Sequence, residues 1–150
     1  MTPDIRVQAE IFDAGAEIDR MTAGRGDLGA VVAFIGLVRD FGPDRLSALT
    51  LEHYPGMTAA EMARIAEEAG RRWPLLALTV IHRFGRLEPG APIVLVLAAA
   101  AHRRAAFEAA EFLMDWLKTK APFWKSEARE TGTRWVEAKV SDEDAAQRWE

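Results

Sequence analysis

The sequence predicts an α+β fold in a single domain that spans residues 1–150. Two amphipathic helical patterns each follow strand-like apolar segments, and further strand patterns lie toward both ends of the chain. No internal repeat, low-complexity tract or linker divides the sequence, and 150 residues are enough for one sizeable core. An α/β sandwich is the alternative, because periodicity alone does not fix the order of the strands.

The N-terminal part predicts two strands and a short helix. Residues 5–12 alternate between apolar and polar side chains, and Asp13 is suited to cap a helix that ends near Met21. Residues 31–38 (VVAFIGLV) are nearly all apolar, which favours a strand buried on both faces. A turn-rich segment, FGPDR at 41–45, follows this strand.

The next segments predict a strand and a structural helix. Residues 49–54 alternate as a strand does, and a Pro-Gly pair then turns the chain. Thr58 and Glu61 have the spacing of a capping box, which predicts a helix beginning there. Gly70 is expected to end this helix.

The remaining strands lie on both sides of one long helical segment. Residues 76–83 and 92–100 read as strands joined by a glycine-containing turn, FGRLEPGA. Residues 135–140 alternate as a last strand, and residues 141–149 predict a terminal helix with Ser141 at its start. His53 and His82 are interpreted as packed or solvent-facing strand residues, because the three histidines show no metal-binding spacing. The sequence therefore predicts no metal site and no bound cofactor.

The long helical segment lies within residues 102–125, HRRAAFEAAEFLMDWLKTKAPFWK. Ala106, Ala110, Leu113 and Leu117 recur at helical spacing and form an apolar stripe. Pro122 cannot continue a helix and disfavours helical geometry in the preceding residue, so the helix is expected to end near Lys120.

Basic residues flank this helix at both ends. The positive end of the helix dipole disfavours cations, so His102 and Arg103 together indicate an anion-binding site, whereas Arg104 is interpreted as a solvated residue. Lys118 is favourable at the C-terminal end and carries no functional signal by itself. Lys125 follows a proline and two aromatic residues, an environment that lowers the pKa of a lysine and makes it reactive.

The two basic clusters are too far apart to bind one small anion within one chain. Arg103 and Lys118 are separated by about 22 Å along a helix that rises 1.5 Å per residue. If both clusters serve one reaction, a second copy of the chain must bring its Arg103 to this chain's Lys118. The spacing thus predicts either two sites or a dimer with shared sites.

The composition excludes several classes of protein. The absence of cysteine excludes disulfides, thiolate metal sites and cysteine nucleophiles. The 19 basic and 23 acidic residues give a net charge of −4, which argues against a general nucleic-acid-binding protein. The longest apolar run, residues 91–101, is much shorter than the roughly 20 residues of a membrane-spanning helix. We expect a soluble cytoplasmic protein, because the first ten residues carry charges where a signal peptide is apolar.

Several longer segments resemble a known family. They are LEHYPGM at 51–57, RWPL at 72–75, AHR at 101–103, FLMDWLKTKAPFWK at 112–125 and RWVEA at 134–138. They resemble the large, catalytic subunit of molybdopterin synthase, the MoaE family. The resemblance covers about residues 29–149 in one register and is too long and specific to arise by chance.

The resemblance implies a fold, a reaction and partners. The fold is an α/β hammerhead with an additional antiparallel β subdomain. The reaction is a sulfur transfer in molybdenum cofactor biosynthesis, in which cyclic pyranopterin monophosphate receives two dithiolene sulfurs. The sulfur donor is a small ubiquitin-like partner subunit with a Gly-Gly tail that ends in a thiocarboxylate. Two large subunits form a homodimer, and one small subunit at each end completes a heterotetramer.

The resemblance also implies site residues. The essential lysines of the family match Lys118 and Lys125, and its substrate-binding arginine matches Arg39. Its His-Arg pair matches His102 and Arg103. Lys139 stands where a relative has arginine, which keeps the charge but loses the bidentate geometry. The residues assigned to substrate binding are Leu37, Val38, Arg39, His102, Arg103, Ser126 and Glu127.

Two rival functions agree with the same residues. A transferase of another class would bind a phosphorylated or coenzyme A substrate at the start of the helix, and its lysines would be structural. A non-enzymatic module would only bind a ubiquitin-like tail. Only the sulfur-transfer function predicts that the protein forms a dithiolene and that this activity depends on Lys118 and Lys125.

Overall fold

The computed structural model describes residues 1–40, 42–137 and 139–150. The chain forms four helices and eight strands within these ranges. The elements in order are β1 (Asp4–Gln8), α1 (Ala14–Thr22), β2 (Ala30–Leu37), β3 (Leu46–His53), α2 (Met57–Arg72), β4 (Leu75–Arg83), β5 (Gly85–Leu87), β6 (Pro92–Ala100), α3 (Arg103–Lys120), β7 (Phe123–Arg129), β8 (Gly132–Val136) and α4 (Val140–Gln147).

The strands form two four-stranded sheets, which confirms the predicted α+β class. The first sheet has the order β1-β4-β6-β2, with β1 parallel to β4 and the other pairs antiparallel. The second sheet has the order β5-β3-β7-β8 and is antiparallel throughout. The third strand from the C-terminus, β6, leads directly into α3, which lies against the first sheet.

The first sheet is covered by helices on both faces. Side chains of β6 alternate between the two faces, so that Val94 and Val96 join the large core beneath α2 and α3. Leu95 and Leu97 point the other way and pack against the residues of α1 and the preceding Phe12. This two-sided burial fixes the position of α3 relative to the sheet.

The start of α3 is held close to β2 by a glycine. The backbone N–H of Gly29 donates to the carbonyl of Ala100 over 3.0 Å. A Cβ atom at Gly29 would lie 1.9 Å from the carbonyl oxygen of Ala101, so any other residue would push the segments apart. The beginning of β2 and the beginning of α3 are therefore neighbours.

The prediction that residues 31–38 are buried on both faces is wrong. The strand β2 lies at the edge of its sheet and pairs with β6 alone among the described strands. Phe34, Ile35 and Leu37 are 38%, 43% and 56% exposed. An apolar sequence of this kind indicates burial, but it does not reveal whether another part of the same chain provides it.

The predicted capping box of α2 is also wrong. Gly56 precedes the helix, and the hydroxyl of Thr58 donates to the carbonyl of Pro122 over 3.0 Å instead of capping the helix. The helix continues through Gly70 to Arg72, because the chain meets a proline only after Trp73. Thr58 thus connects α2 to the segment that follows α3.

Other boundaries agree more closely with the sequence. Asp13 caps α1 by accepting a hydrogen bond from the N–H of Ala16, and α3 ends at Lys120, as predicted. The first strand is shorter than predicted, and the sequence predicted neither β5 nor β7. The last strand, Gly132–Val136, lies earlier than the predicted 135–140, and α4 begins at Val140 with Lys139 rather than Ser141 at its cap. The predicted turn at 41–45 and strand at 135–140 include residues 41 and 138, which lie outside the described residues.

Candidate active site

A cavity of about 800 Å³ lies where the last turns of α3 meet the end of β2 and one face of the second sheet. Most of its wall is apolar. The larger apolar side chains on the wall are Phe34, Ile35, Leu37, Val38, Leu46, Leu49, Leu51, Ile93, Val94, Met114, Leu117, Phe123 and Val136. The charged or polar side chains on the wall are Arg39, His82, Lys118, Lys125, Glu127, Arg129 and Lys139. Apolar walls with several convergent cations are suited to an organic anion.

The alternation of β7 places three charged side chains on the cavity. Lys125, Glu127 and Arg129 follow each other at every second position, so they share one face of the strand. Glu127 and Arg129 pair with each other, with 2.6 Å between Oε2 and Nε. This pair partly neutralises the wall, whereas none of the described residues forms a hydrogen bond with the side chain of Lys125.

Lys118 reaches the same cavity from the last turn of α3. Its Nζ atom lies 3.9 Å from Oδ1 of Asp142, in the first turn of α4. Trp116 donates a hydrogen bond from Nε1 to the carbonyl of Ala146, and this bond holds α4 against α3. The terminal helix therefore brings a carboxylate to the edge of the site.

The turn between α3 and β7 is held by contacts from distant parts of the chain. The hydroxyl of Thr58 binds the carbonyl of Pro122, and it also accepts a hydrogen bond from the N–H of Tyr54 over 3.2 Å. The ring of Phe123 stacks on His82, with 3.8 Å between the ring centroids. These contacts fix the positions of Lys118 and Lys125 on the two sides of the turn.

The cavity changes the protonation of two of its side chains. Burial of the ammonium group lowers the pKa of Lys125, and the positive charges of Lys118 and Lys139 lower it further, against the opposing effect of Asp142 and Glu127. Burial also lowers the pKa of His82 to about 4, with a smaller contribution from Lys125. His82 is therefore neutral at pH 7.

Most of the residues expected from the sequence lie on this one cavity. The end of β2 contributes Leu37, Val38 and Arg39, although these three are separated by more than 75 residues from the two lysines. Lys118, Lys125 and Glu127 complete the set that the structure brings together. No sequence pattern required this convergence, since it depends on the packing of the two sheets.

Three of the expected residues lie elsewhere. Ser126 belongs to the face of β7 opposite Lys125 and does not line the cavity. His102 and Arg103 are exposed at the other end of α3, and His102 forms no side-chain cap there. Within one chain these two residues take no part in the site.

Sequence reasoning missed two polar residues of the cavity. Arg129 is one, and its alternation with Lys125 along β7 was a signal that it shares the same face. His82 is the other, and it was interpreted as an ordinary strand residue. Its place in the site depends on the stack with Phe123, which lies 41 positions later in the chain, and no local pattern reveals such a contact.

The model of the family described as "MoaE protein" matches residues 7–120. The chain belongs to the MoaE family. It is 60% identical to the molybdopterin synthase catalytic subunit of Mesorhizobium japonicum, over 99% of this chain and 94% of that protein. It is 57% identical to the molybdopterin synthase catalytic subunit of Pseudomonas aeruginosa, over 97% of this chain and 98% of that protein.

A solved structure of another MoaE protein has the same fold. The molybdopterin biosynthesis MoaE protein from Burkholderia ambifaria MC40-6 superimposes with a TM-score of 0.84 at 47% identity, and covers 98% of this chain and 97% of that chain. Among the described residues, no helix is long and apolar enough to span a membrane. They also contain no group of three or more metal-binding side chains arranged around a common point.

Proposed function

We propose that this MoaE chain is the catalytic subunit of a molybdopterin synthase, on which the sulfur transfer takes place. It would transfer two sulfurs from C-terminal thiocarboxylates of a small ubiquitin-like partner to cyclic pyranopterin monophosphate, and it would act in the cytoplasm. The observation that carries the proposal is the convergence of Lys118, Lys125 and Arg39 on one cavity with apolar walls. The substrate phosphate and the thiocarboxylate are both anions, so their approach requires such a cluster of cations.

The two lysines have different roles in the proposal. The lowered pKa of Lys125 gives it a larger neutral fraction, so it can take up and return protons during each transfer. Lys118, whose Nζ atom lies 3.9 Å from Oδ1 of Asp142, is proposed to stabilise the oxyanion that develops on the acyl carbon. The burial of Lys125 thus separates the functions of two otherwise similar side chains.

Each transfer has two stages. The sulfur of the thiocarboxylate bonds to a carbon of the pterin substrate as the bond from that carbon to an oxygen breaks, and this oxygen leaves as water or stays on the phosphate. The tail is then linked to the substrate as a thioester. Water then breaks the bond between the acyl carbon and the sulfur, which leaves the sulfur on the substrate and a carboxylate on the tail. Apolar side chains such as Leu51, Leu117 and Phe123 limit the amount of water in the cavity, so that hydrolysis of the thiocarboxylate does not compete with the first stage.

The other cavity residues are assigned to substrate binding. Arg39, with Leu37 and Val38, is proposed to hold the phosphate and pterin end of the substrate beside the end of β2. Glu127 is proposed to keep Arg129 in position through their ion pair. Ser126, on the opposite face of β7, would act only through the strand that it shares with Lys125.

The first sheet suggests how His102 and Arg103 reach the site. In β2, Ala30 pairs with Ala100 at the start of α3, whereas Leu37 pairs with Pro92 near the cavity. The basic N-terminal end of α3 and the cavity therefore lie at opposite ends of the same edge strand.

A twofold axis at the middle of β2 would bring these two regions together across a dimer. Antiparallel pairing of β2 with the same strand of a second copy places each Ala30 end beside the other chain's Leu37 end. His102 and Arg103 of the second copy would then approach Arg39 and Lys118 of the first. The pairing would also cover Phe34 and Ile35, which are exposed in the single chain. We therefore propose a homodimer with shared sites, to which one small subunit binds at each end.

The proposal is tested by reconstitution. The purified chain is mixed with cyclic pyranopterin monophosphate and the thiocarboxylated small partner, and the products are measured by mass spectrometry. We expect a pterin product with two added sulfurs and a partner that has returned to the carboxylate form. A partner that ends in an ordinary carboxylate is the control, and it should give no product.

The lysine variants separate this function from a tail-binding module. Lys118→Ala should still bind the partner, and both Lys118→Ala and Lys125→Ala should give no dithiolene product. An intact thiocarboxylate after incubation with the wild-type chain and substrate would contradict the proposed reaction.

A further inference from the structure

His82 continues a row of inward-facing residues into the cavity. Leu78 and Val80 of β4 lie in the large core on the same side of the sheet as α3. His82 is the next residue of this row, and it lines the cavity just beyond the end of the helix. A polar ring thus occupies the position at which the core opens to the site.

The ring is held in one orientation and one tautomer. Its Nδ1 atom lies 2.8 Å from the carbonyl oxygen of Arg83, so Nδ1 must carry the hydrogen. The ring stacks on Phe123 at an interplanar angle of 20°. Nε2 is therefore the basic nitrogen, and no described residue donates a hydrogen bond to it. With a pKa of about 4, His82 remains a neutral hydrogen-bond acceptor at pH 7.

This acceptor differs from the other polar side chains of the cavity. Arg39, Lys118, Lys125 and Lys139 are donors only, and Glu127 is already bound by Arg129. Among the described side chains of the wall, His82 is thus the neutral acceptor that remains open to a ligand. A ligand N–H group that enters a poorly hydrated cavity needs such an acceptor, because an unsatisfied donor is costly.

Lys125 lies near His82 on the wall of the same cavity. It is two positions after Phe123 on the same face of β7, or about 7 Å along the strand. Phe123 itself stacks on His82, and the charge of Lys125 contributes to the lowered pKa of His82. An ammonium donor and an imidazole acceptor are therefore neighbours on one wall, where the terminal residue of a peptide could bind to both.

We propose that His82 is a specificity-determining residue, whose Nε2 accepts a hydrogen bond from the last peptide N–H of the partner's tail while Lys125 binds the terminal thiocarboxylate. The inference rests on the proposed function and adds to it a requirement on the tail. The last residue must offer an amide hydrogen, so a terminal ester or N-methyl residue would be rejected although its charge is unchanged.

The test uses two forms of the full-length small partner, both ending in a carboxylate. One has the natural last peptide bond, and in the other an ester oxygen replaces the last N–H. Calorimetry with the wild-type chain should show about tenfold weaker binding of the ester form, since the bond is lost and the acceptor stays unsatisfied. In His82→Phe, which keeps a ring beside Phe123, the two forms should bind equally.

A matched control distinguishes this role from a change in packing. His53 is a second histidine next to the same aromatic cluster, with 4.2 Å between its ring centroid and that of Phe84, but it does not line the cavity. His53→Phe should therefore retain the tenfold difference between the amide and ester forms. Thermal melting of both variants checks that they fold.

Four results would overturn the inference, and the last of them would also overturn the proposed function. Equal binding of the two partner forms by the wild-type chain would show that the last N–H is not recognised. An unchanged tenfold difference in His82→Phe would assign the recognition to another group. If the ester is tolerated but His82→Phe raises KM for the pterin alone, the acceptor serves the substrate. Failure of the wild-type chain to bind either partner form would overturn the proposed function as well.

Discussion

The two ends of α3 carry similar basic side chains in opposite surroundings. At the N-terminal end, His102 and Arg103 are exposed at the positive end of the helix dipole. At the C-terminal end, Lys118 lines a cavity that it shares with Lys125, whose pKa is lowered by burial. One chain is enough to form the C-terminal cluster, whereas His102 and Arg103 lie on the surface of the single chain.

This difference indicates that the C-terminal end of α3 serves the reaction and that the N-terminal end serves the binding of an anion or of a second chain. Of the two ends of α3, the C-terminal end combines burial with nearby positive charges, and these lower the pKa of Lys125. An exposed cationic cluster at a helix N-terminus is unfavourable by itself, so it is retained where an anion or a second chain compensates for it. The predictions below test these two interpretations separately.

The largest expected effect is the loss of activity in Lys125→Ala. Removal of the group that moves protons should lower the rate of dithiolene formation by about a thousandfold or more. The matched control is Lys120→Ala, because Lys120 contacts Glu150 at 3.2 Å and the ring of Trp116 and does not line the cavity. Equal losses in both variants would show that the cavity does not distinguish the lysines.

The next effect concerns assembly. Ala33→Lys places a charge on the exposed part of β2 that does not line the cavity, and it should convert the proposed dimer to a monomer with an unchanged fold. Activity should fall about a hundredfold, because each site would lose the arginine of the other chain. Sedimentation and circular dichroism measure the two properties. Ile11→Lys, at an exposed apolar residue outside β2, is the control and should remain dimeric. A monomeric but active Ala33→Lys variant would contradict the shared site.

Two substitutions should shift the pH profile in opposite directions. Asp142 raises the pKa of Lys125, so Asp142→Asn should lower this pKa and move the rising limb of activity to lower pH. Lys139 lowers the same pKa, so Lys139→Gln should move the limb to higher pH. The rate of single sulfur transfers from pH 6 to 10 measures both shifts. Shifts in the same direction would contradict the role of Lys125 in proton transfer.

The smallest effect is on stability. Because folding lowers the pKa of Lys125, the charged form costs stability below this folded pKa, and the cost disappears as the pH rises through about 10.4, the ordinary lysine value. Lys125→Met should therefore raise Tm at pH 7, and the gain should shrink toward pH 11. A lower Tm at pH 7 would show that the ammonium group contributes favourable contacts that outweigh its burial.

Local features of the fold were predictable from the sequence. The end of α3 follows from Pro122, and the start of α1 follows from Asp13, because both depend on neighbours in the chain. The prediction that β2 is buried on both faces was wrong, since the sequence does not reveal which strand lies at the edge of a sheet. The capping box failed at Thr58, because its hydroxyl binds the distant carbonyl of Pro122.

The candidate site was predictable to a different degree. The resemblance to a family identified Lys118 and Lys125, but the residues alone indicated only a reactive lysine after an aromatic pair. His82 was missed because its role depends on a stack with a residue of another sheet. The resemblance therefore indicated which residues belong to the site, and only the packing of the two sheets showed that they lie on one cavity.

Mixing of two inactive variants tests the shared site most directly. Arg103→Ala and Lys118→Ala chains are combined under conditions of proven subunit exchange, and dithiolene formation is measured. Random pairing gives heterodimers in which one of the two sites is intact, so the account predicts recovery of about a quarter of the wild-type activity. No recovery would show that each site is built from a single chain and would contradict the account.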